Sequence, residues 1–220
     1  MSLNLQEIII NFSIEECHLS TLNFNNLYLN KVIPAHWQLL IEPIQNDQEI
    51  IICFKNRIHI IIQSNQITLS ELVSNKAFQN IEIRKLALNL IEKLSQIKII
   101  GISINPDYYY YLDCKNNINQ NIYKNILGSE FYPKSNPEKF VSTGIQKAYN
   151  YKGGELILDA YQVNVEVSEK VSTAICFEAS FDYRVFSTNQ ESKSCNMQER
   201  LLNLDRDLQK IQYFITRNFL

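Results

Sequence analysis

Hydrophobic residues follow two rhythms along this chain, and each change of rhythm marks an element boundary. The densest run is Glu49 to Leu72, where Ile50, Ile51, Ile52, Cys53 and Phe54 precede a polar Lys55-Asn56-Arg57 and Ile58, His59, Ile60, Ile61 and Ile62 follow it. A strand alternates its side chains between two faces. Apolar residues at odd and even positions therefore predict a hairpin with oil on both faces, in the middle of a sheet covered on both sides. The polar break predicts the turn, with Asn56 accepting the left-handed backbone of a tight loop. Left bare, such a segment would aggregate, so covering helices are expected.

Around this hairpin the pattern predicts strands at Glu7 to Phe12, Leu22 to Asn30, Trp37 to Ile44 and Gln66 to Leu72, the last with Ile67 and Leu69 facing inward. From Asn80 the period becomes helical. Ile83, Leu86, Ala87, Leu90, Leu94 and Ile97 recur three and four residues apart, with Glu82, Arg84, Lys85, Asn89, Glu92 and Lys93 mostly opposite. Lys98 to Asn105 returns to strand, and Asn105-Pro106-Asp107 is expected to stop it, leaving Tyr108 to Leu112 as an edge strand past a kink. Asn119 to Leu127 predicts a short helix closed by Gly128, Pro133 to Pro137 a loop, and Val141 to Tyr151 fits no single element. A second strand-rich section covers Glu155 to Tyr161, Val163 to Val167 and Ser172 to Phe186. Ser187 to Ser194 predicts a polar loop. Asn196 and Glu199 resemble a capping box that opens a last helix, with Leu201, Leu204, Leu208, Ile211 and Ile215 as its buried stripe and Phe214 widening it.

These elements predict an α+β fold, mainly antiparallel sheet covered by two amphipathic helices. The chain reads as one compact unit, 1–220. Its halves, 1–113 and 114–220, share an order of strands followed by a helix, which raises a structural pseudo-duplication as an expectation.

Composition removes several function classes. With 21 basic and 23 acidic side chains the formal net charge is −2, which argues against whole-protein attraction to nucleic acid or anionic membrane. No apolar run is long enough to span a bilayer, and the start of the chain lacks the basic region of a secretory signal. The five cysteines are odd in number and scattered, without a C-x-x-C pair, against both a disulfide framework and a structural zinc site. A cytoplasmic protein is expected.

Catalytic signatures are also missing. Five glycines form no phosphate-cradling loop, and Gly101-Ile102-Ser103-Ile104-Asn105 begins like a nucleophile elbow but lacks its second glycine. Only His18, His36 and His59 are present. Cys53 and His59 would make a nucleophile and base, yet a two-residue hairpin loop puts them on opposite faces, and only an odd-length loop would bring them together. Cys17-His18 with His36 has no further ligand at metal spacing. Among the strand carboxylates Glu155, Asp159, Glu166, Glu178 and Asp182, a metal-dependent hydrolase would use Asp159, Glu178 and Asp182. The plainer expectation is a solvent face, with Phe177, Ala179, Phe181 and Tyr183 pointing the other way.

The positive signal is a local shift in composition. Between Lys115 and Tyr151 five lysines face two acids, interleaved with aromatics and preceded by four consecutive tyrosines. The expected binding residues are Tyr108, Tyr109, Tyr110, Tyr111, Lys115, Tyr123, Lys124, Tyr132, Lys134 and Lys139. Tyrosines anchor protein interfaces, so a non-catalytic accessory protein with a protein partner is the first expectation. Aromatic faces among cations also suit single-stranded nucleic acid, the alternative. No cofactor, metal ligand or catalytic residue is assigned, and no oligomeric state is expected.

Overall fold

The structure is a computed structural model and describes residues 3–15, 18–74, 76–94, 97–112, 144–151, 154–167, 170–184 and 190–220. Its strands are β1 (Leu3–Ile14), β2 (Ile44–Gln45), β3 (Glu49–Cys53), β4 (Ile58–Gln63), β5 (Gln66–Leu72), β6 (Ile99–Tyr111), β7 (Gly144–Tyr151), β8 (Gly154–Val167) and β9 (Lys170–Arg184). The helices among the described residues are α1 (Phe24–Leu29), α2 (Ile83–Lys93), α3 (Gln190–Leu202) and α4 (Leu204–Phe219). All nine strands lie in one antiparallel sheet of order β2-β3-β4-β5-β1-β6-β9-β8-β7, an α+β architecture. No helix among the described residues is long and apolar enough to cross a membrane.

Alternation along each strand separates two faces. On the first, Ile8, Ile10 and Phe12 of β1, Ile50 and Ile52 of β3, Ile58, Ile60 and Ile62 of β4, Ile102 and Ile104 of β6 and Phe177 and Phe181 of β9 join one buried cluster with Leu27, Leu86, Leu90, Leu201, Leu208, Ile211 and Ile215 of the helices. The described helices thus turn their apolar stripes to the same side of the sheet. The predicted stripes of α2 and of the C-terminal region are the ones buried. Across the second face most side chains are only half-buried.

The Ile-rich hairpin forms, though not where its pattern placed it. It lies near one end of the sheet, flanked outside by a two-residue β2, and its second face carries half-buried Ile51, Cys53, His59 and Ile61. It is therefore not sandwiched on both sides. Its loop holds three residues, since the Phe54 amide donates to the Ile58 carbonyl and the Arg57 amide to the Phe54 carbonyl. Arg57, not Asn56, takes the left-handed backbone (φ 68°).

Other elements depart from expectation for local reasons. Leu22 to Asn30 is helical: Asn23 accepts the Asn26 amide at 3.0 Å and starts a turn that buries Leu22 and Leu27. Trp37 to Ile44 makes only a single bridge, Leu39 to Phe54, before β2. β6 runs straight through Pro106, and Tyr108 to Tyr111 lie in a central strand rather than at an edge. The ladder tolerates the missing N–H because pairing with β9 lapses at Asn105 and Pro106, while β1 carries an irregularity between Leu5 and Glu7 alongside. The C-terminal region is two helices. The expected start at Asn196 and Glu199 falls inside α3, part of the expected polar loop is its first turn, and the break comes at Asn203. The expected helix at Asn119 to Leu127 and loop at Pro133 to Pro137 lie outside the described residues.

The N-terminus of α2 is anchored by an acid buried in the sheet. Glu71 continues the inward row of Ile67 and Leu69 and is fully buried. One of its oxygens accepts the Glu82 and Ile83 amides at 2.8 and 2.7 Å; the other meets the Lys76 ammonium at 2.7 Å. Two orphan donors of the first helical turn are thereby satisfied.

Candidate functional site on the second sheet face

Strand parity divides the four consecutive tyrosines. Tyr108 and Tyr110 face the helices and are buried, and the Tyr108 hydroxyl donates to the Leu208 carbonyl of α4 at 2.9 Å. Burial raises the Tyr108 hydroxyl well above its ordinary value. These two residues are core, which corrects their expected place on a binding surface: in a central strand every second side chain must point into the covered face. Tyr109 and Tyr111 occupy the second face, half-buried, with rings 6.4 Å apart and edge to face.

Lys115, Tyr123, Lys124, Tyr132, Lys134 and Lys139 lie outside the described residues. The described end of the Tyr- and Lys-bearing stretch is β7. There Tyr149 packs edge to face on Phe214 of α4, and the Lys147 ammonium lies 5.2 Å from the centre of the Phe219 ring. That is the helix-covered side. Tyr109 and Tyr111 therefore do not share a platform with Tyr149 and Lys147.

Beside Tyr109 and Tyr111 the second face assembles residues from four strands. Tyr109 stands opposite Cys176 of β9, and Cys176 opposite Tyr161 of β8. Ala174 and Cys176 are buried yet separate from the main core, beneath this tyrosine group. Burial pushes the Cys176 thiol up to about 12, only partly offset by its hydrogen bond with Tyr161, and Asp107 and Glu178 raise it further. A thiol held neutral in this way is a packing group, not a nucleophile.

One step along the strands, a row of carboxylates crosses the sheet. Glu7 pairs with Asp107, Asp107 with Glu178, and Glu178 with Asp159. At about 4.8 Å per strand spacing the row spans roughly 14 Å. Asp159 accepts from the Gln146 amide at 3.2 Å, and Glu178 accepts from the Tyr161 hydroxyl. Burial first, then Glu178 and Glu7, raise Asp107 to about 7. Burial and the bond to Glu178 raise the Tyr161 hydroxyl. Among the described residues none of the four carboxylates has a basic side chain in ion-pair contact.

Alternation along β9 is as expected, with Phe177, Ala179 and Phe181 buried and Glu178 on the other face. Asp182 lies four pairs along from Glu178, opposite Glu155. No group of three His, Cys, Asp or Glu among the described residues is placed to hold a metal ion. The three-residue loop reverses the arithmetic for Cys53 and His59, which stand directly opposite one another on the second face. Next in their row come Ser70 and Ile9, so no acid there orients the imidazole. Sequence reasoning picked out Asp159 and Glu178 but missed Glu7 and Asp107, and their strand parity was the only available signal. The chain matches no protein-family model and no curated protein.

Proposed function

We propose that this chain is a non-catalytic accessory protein that holds a basic segment of a protein partner on its second sheet face. One observation carries the reading: Tyr109, Tyr111 and Tyr161 adjoin four carboxylates that lack basic partners among the described residues. Aromatic faces attract cations, and a row of acids completes the charge of lysines or arginines laid across it. The same row repels phosphate, so single-stranded nucleic acid is the weaker reading of this face. The proposed place of action is the cytoplasm, in keeping with five cysteines that form no disulfide pattern.

The test is capture from cell extract with the full chain as bait, followed by a carbodiimide that joins carboxylates to lysines in contact. Cross-links from Asp107, Asp159 or Glu178 to lysines of one partner are expected. Tyr109→Ala with Tyr111→Ala, and separately Asp107→Asn with Glu178→Gln, should abolish them while each variant still melts in a single cooperative transition. A partner retained by both variants removes this face from the proposal.

A further inference from the structure

A second feature lies on the opposite, helix-covered side. Between α4 and the strands β8 and β9 lies a cleft of about 650 Å³, within the range of small-molecule sites. Leu156 of β8 and Phe181 of β9 form its floor, and Ile211 and Phe214 of α4 form its apolar wall. Arg206, Lys210 and Arg217 also line it, all from α4. Positions 206, 210 and 217 are four and seven residues apart, so a 3.6-residue period brings them to one flank of the helix.

Among the described residues, acidic compensation at this rim is partial. Asp207 lies 3.8 Å from the Arg206 guanidinium and 3.5 Å from the Lys210 ammonium, but its own side chain is 7 % exposed and does not line the cleft. Arg217 has no acidic partner among the described residues. Lys147 of β7 adds a further cation nearby, over the Phe219 ring. An oily floor beneath a cationic edge suits a molecule with the opposite polarity at its head and an apolar body.

We propose that this cleft binds an amphipathic anion of the long-chain carboxylate class, with the carboxylate against Lys210 and Arg217 and the alkyl chain on Leu156, Phe181 and Phe214. Charge complementarity selects the head, and burial of apolar surface holds the tail. The site is independent of the partner-binding face, which is on the other side of the sheet.

Isothermal titration of the full chain with laurate, below its micelle concentration, tests this. One saturable site is expected for laurate and none for dodecyltrimethylammonium, which has the same chain length and the opposite charge. Lys210→Gln with Arg217→Gln, both on the helix surface, should weaken laurate by about tenfold or more with an unchanged melting curve. Absence of laurate binding overturns the proposal, as does equal binding of the cationic detergent or an unweakened double variant. An oligothymidylate that binds the parent but not the double variant, with laurate inert, reassigns the cleft to nucleic acid and equally overturns it.

Discussion

At the scale of single residues, the informative groups are charged side chains in strands. Asp107 titrates near 7 in the folded protein against an ordinary value of 3.8. Between those values the folded protein keeps a proton that the unfolded chain has released, so this group's contribution is complete at acid pH and is lost as pH rises through 7. Melting curves should therefore show the parent losing stability relative to Asp107→Asn from about pH 4 to about pH 7. Parallel pH dependences for the two proteins would refute the assignment. Glu71 is a fully buried acid with each oxygen engaged. Glu71→Ala strands two amides and the Lys76 ammonium, and urea unfolding should show a loss of about 3 kcal/mol. Glu71→Gln, which keeps an acceptor for the helix, should lose less. The spacing predicts the helix, but only the tertiary structure brings Glu71, in the inward row of Ile67 and Leu69, to its first turn.

At the scale of elements, long periodic runs were legible and short or punctuated ones were not. The stripe of α2 and the inward Ile67 and Leu69 of β5 follow from spacing alone, whereas β3 and β4, apolar at odd and even positions, carry no period that separates their faces. Leu22 to Asn30 is too short for its period to separate helix from strand, and the Asn23 side chain settles it as helix. In the sequence Pro106 predicts a stop because its effect on the chain is local, whereas its tolerance depends on gaps in the pairing with two neighbouring strands. In the Ile-rich hairpin one extra loop residue moves Cys53 and His59 onto the same face. That loop depends on a left-handed Arg57. Arg57→Val should cost about 1 kcal/mol or more in chemical denaturation, because a β-branched side chain clashes there. Arg57→Gly should leave the midpoint equal or higher.

For the molecule as a whole, topology decides which residues meet. β1 and β6 pair at the middle of the sheet, and each also pairs with the last strand of a neighbouring antiparallel run, β1 with β5 and β6 with β9. A helix follows each run, α2 after β5 and α3 after β9. The centre of the sheet thus joins residues about a hundred positions apart, as in Glu7 beside Asp107. It also assigns Tyr109 and Tyr111 to the second face while Tyr108 and Tyr110 enter the core.

From the chain alone came the fold class, the inward residues of β5 and β9 and the helix stripes, because side-chain direction within an element follows from its own period. The tertiary structure alone decided that the Ile-rich hairpin sits near one end, that one face stays half-buried, and that four acids from distant strands line up beside three tyrosines. Cross-strand neighbours are set by register between segments far apart in sequence, and no local period carries that information.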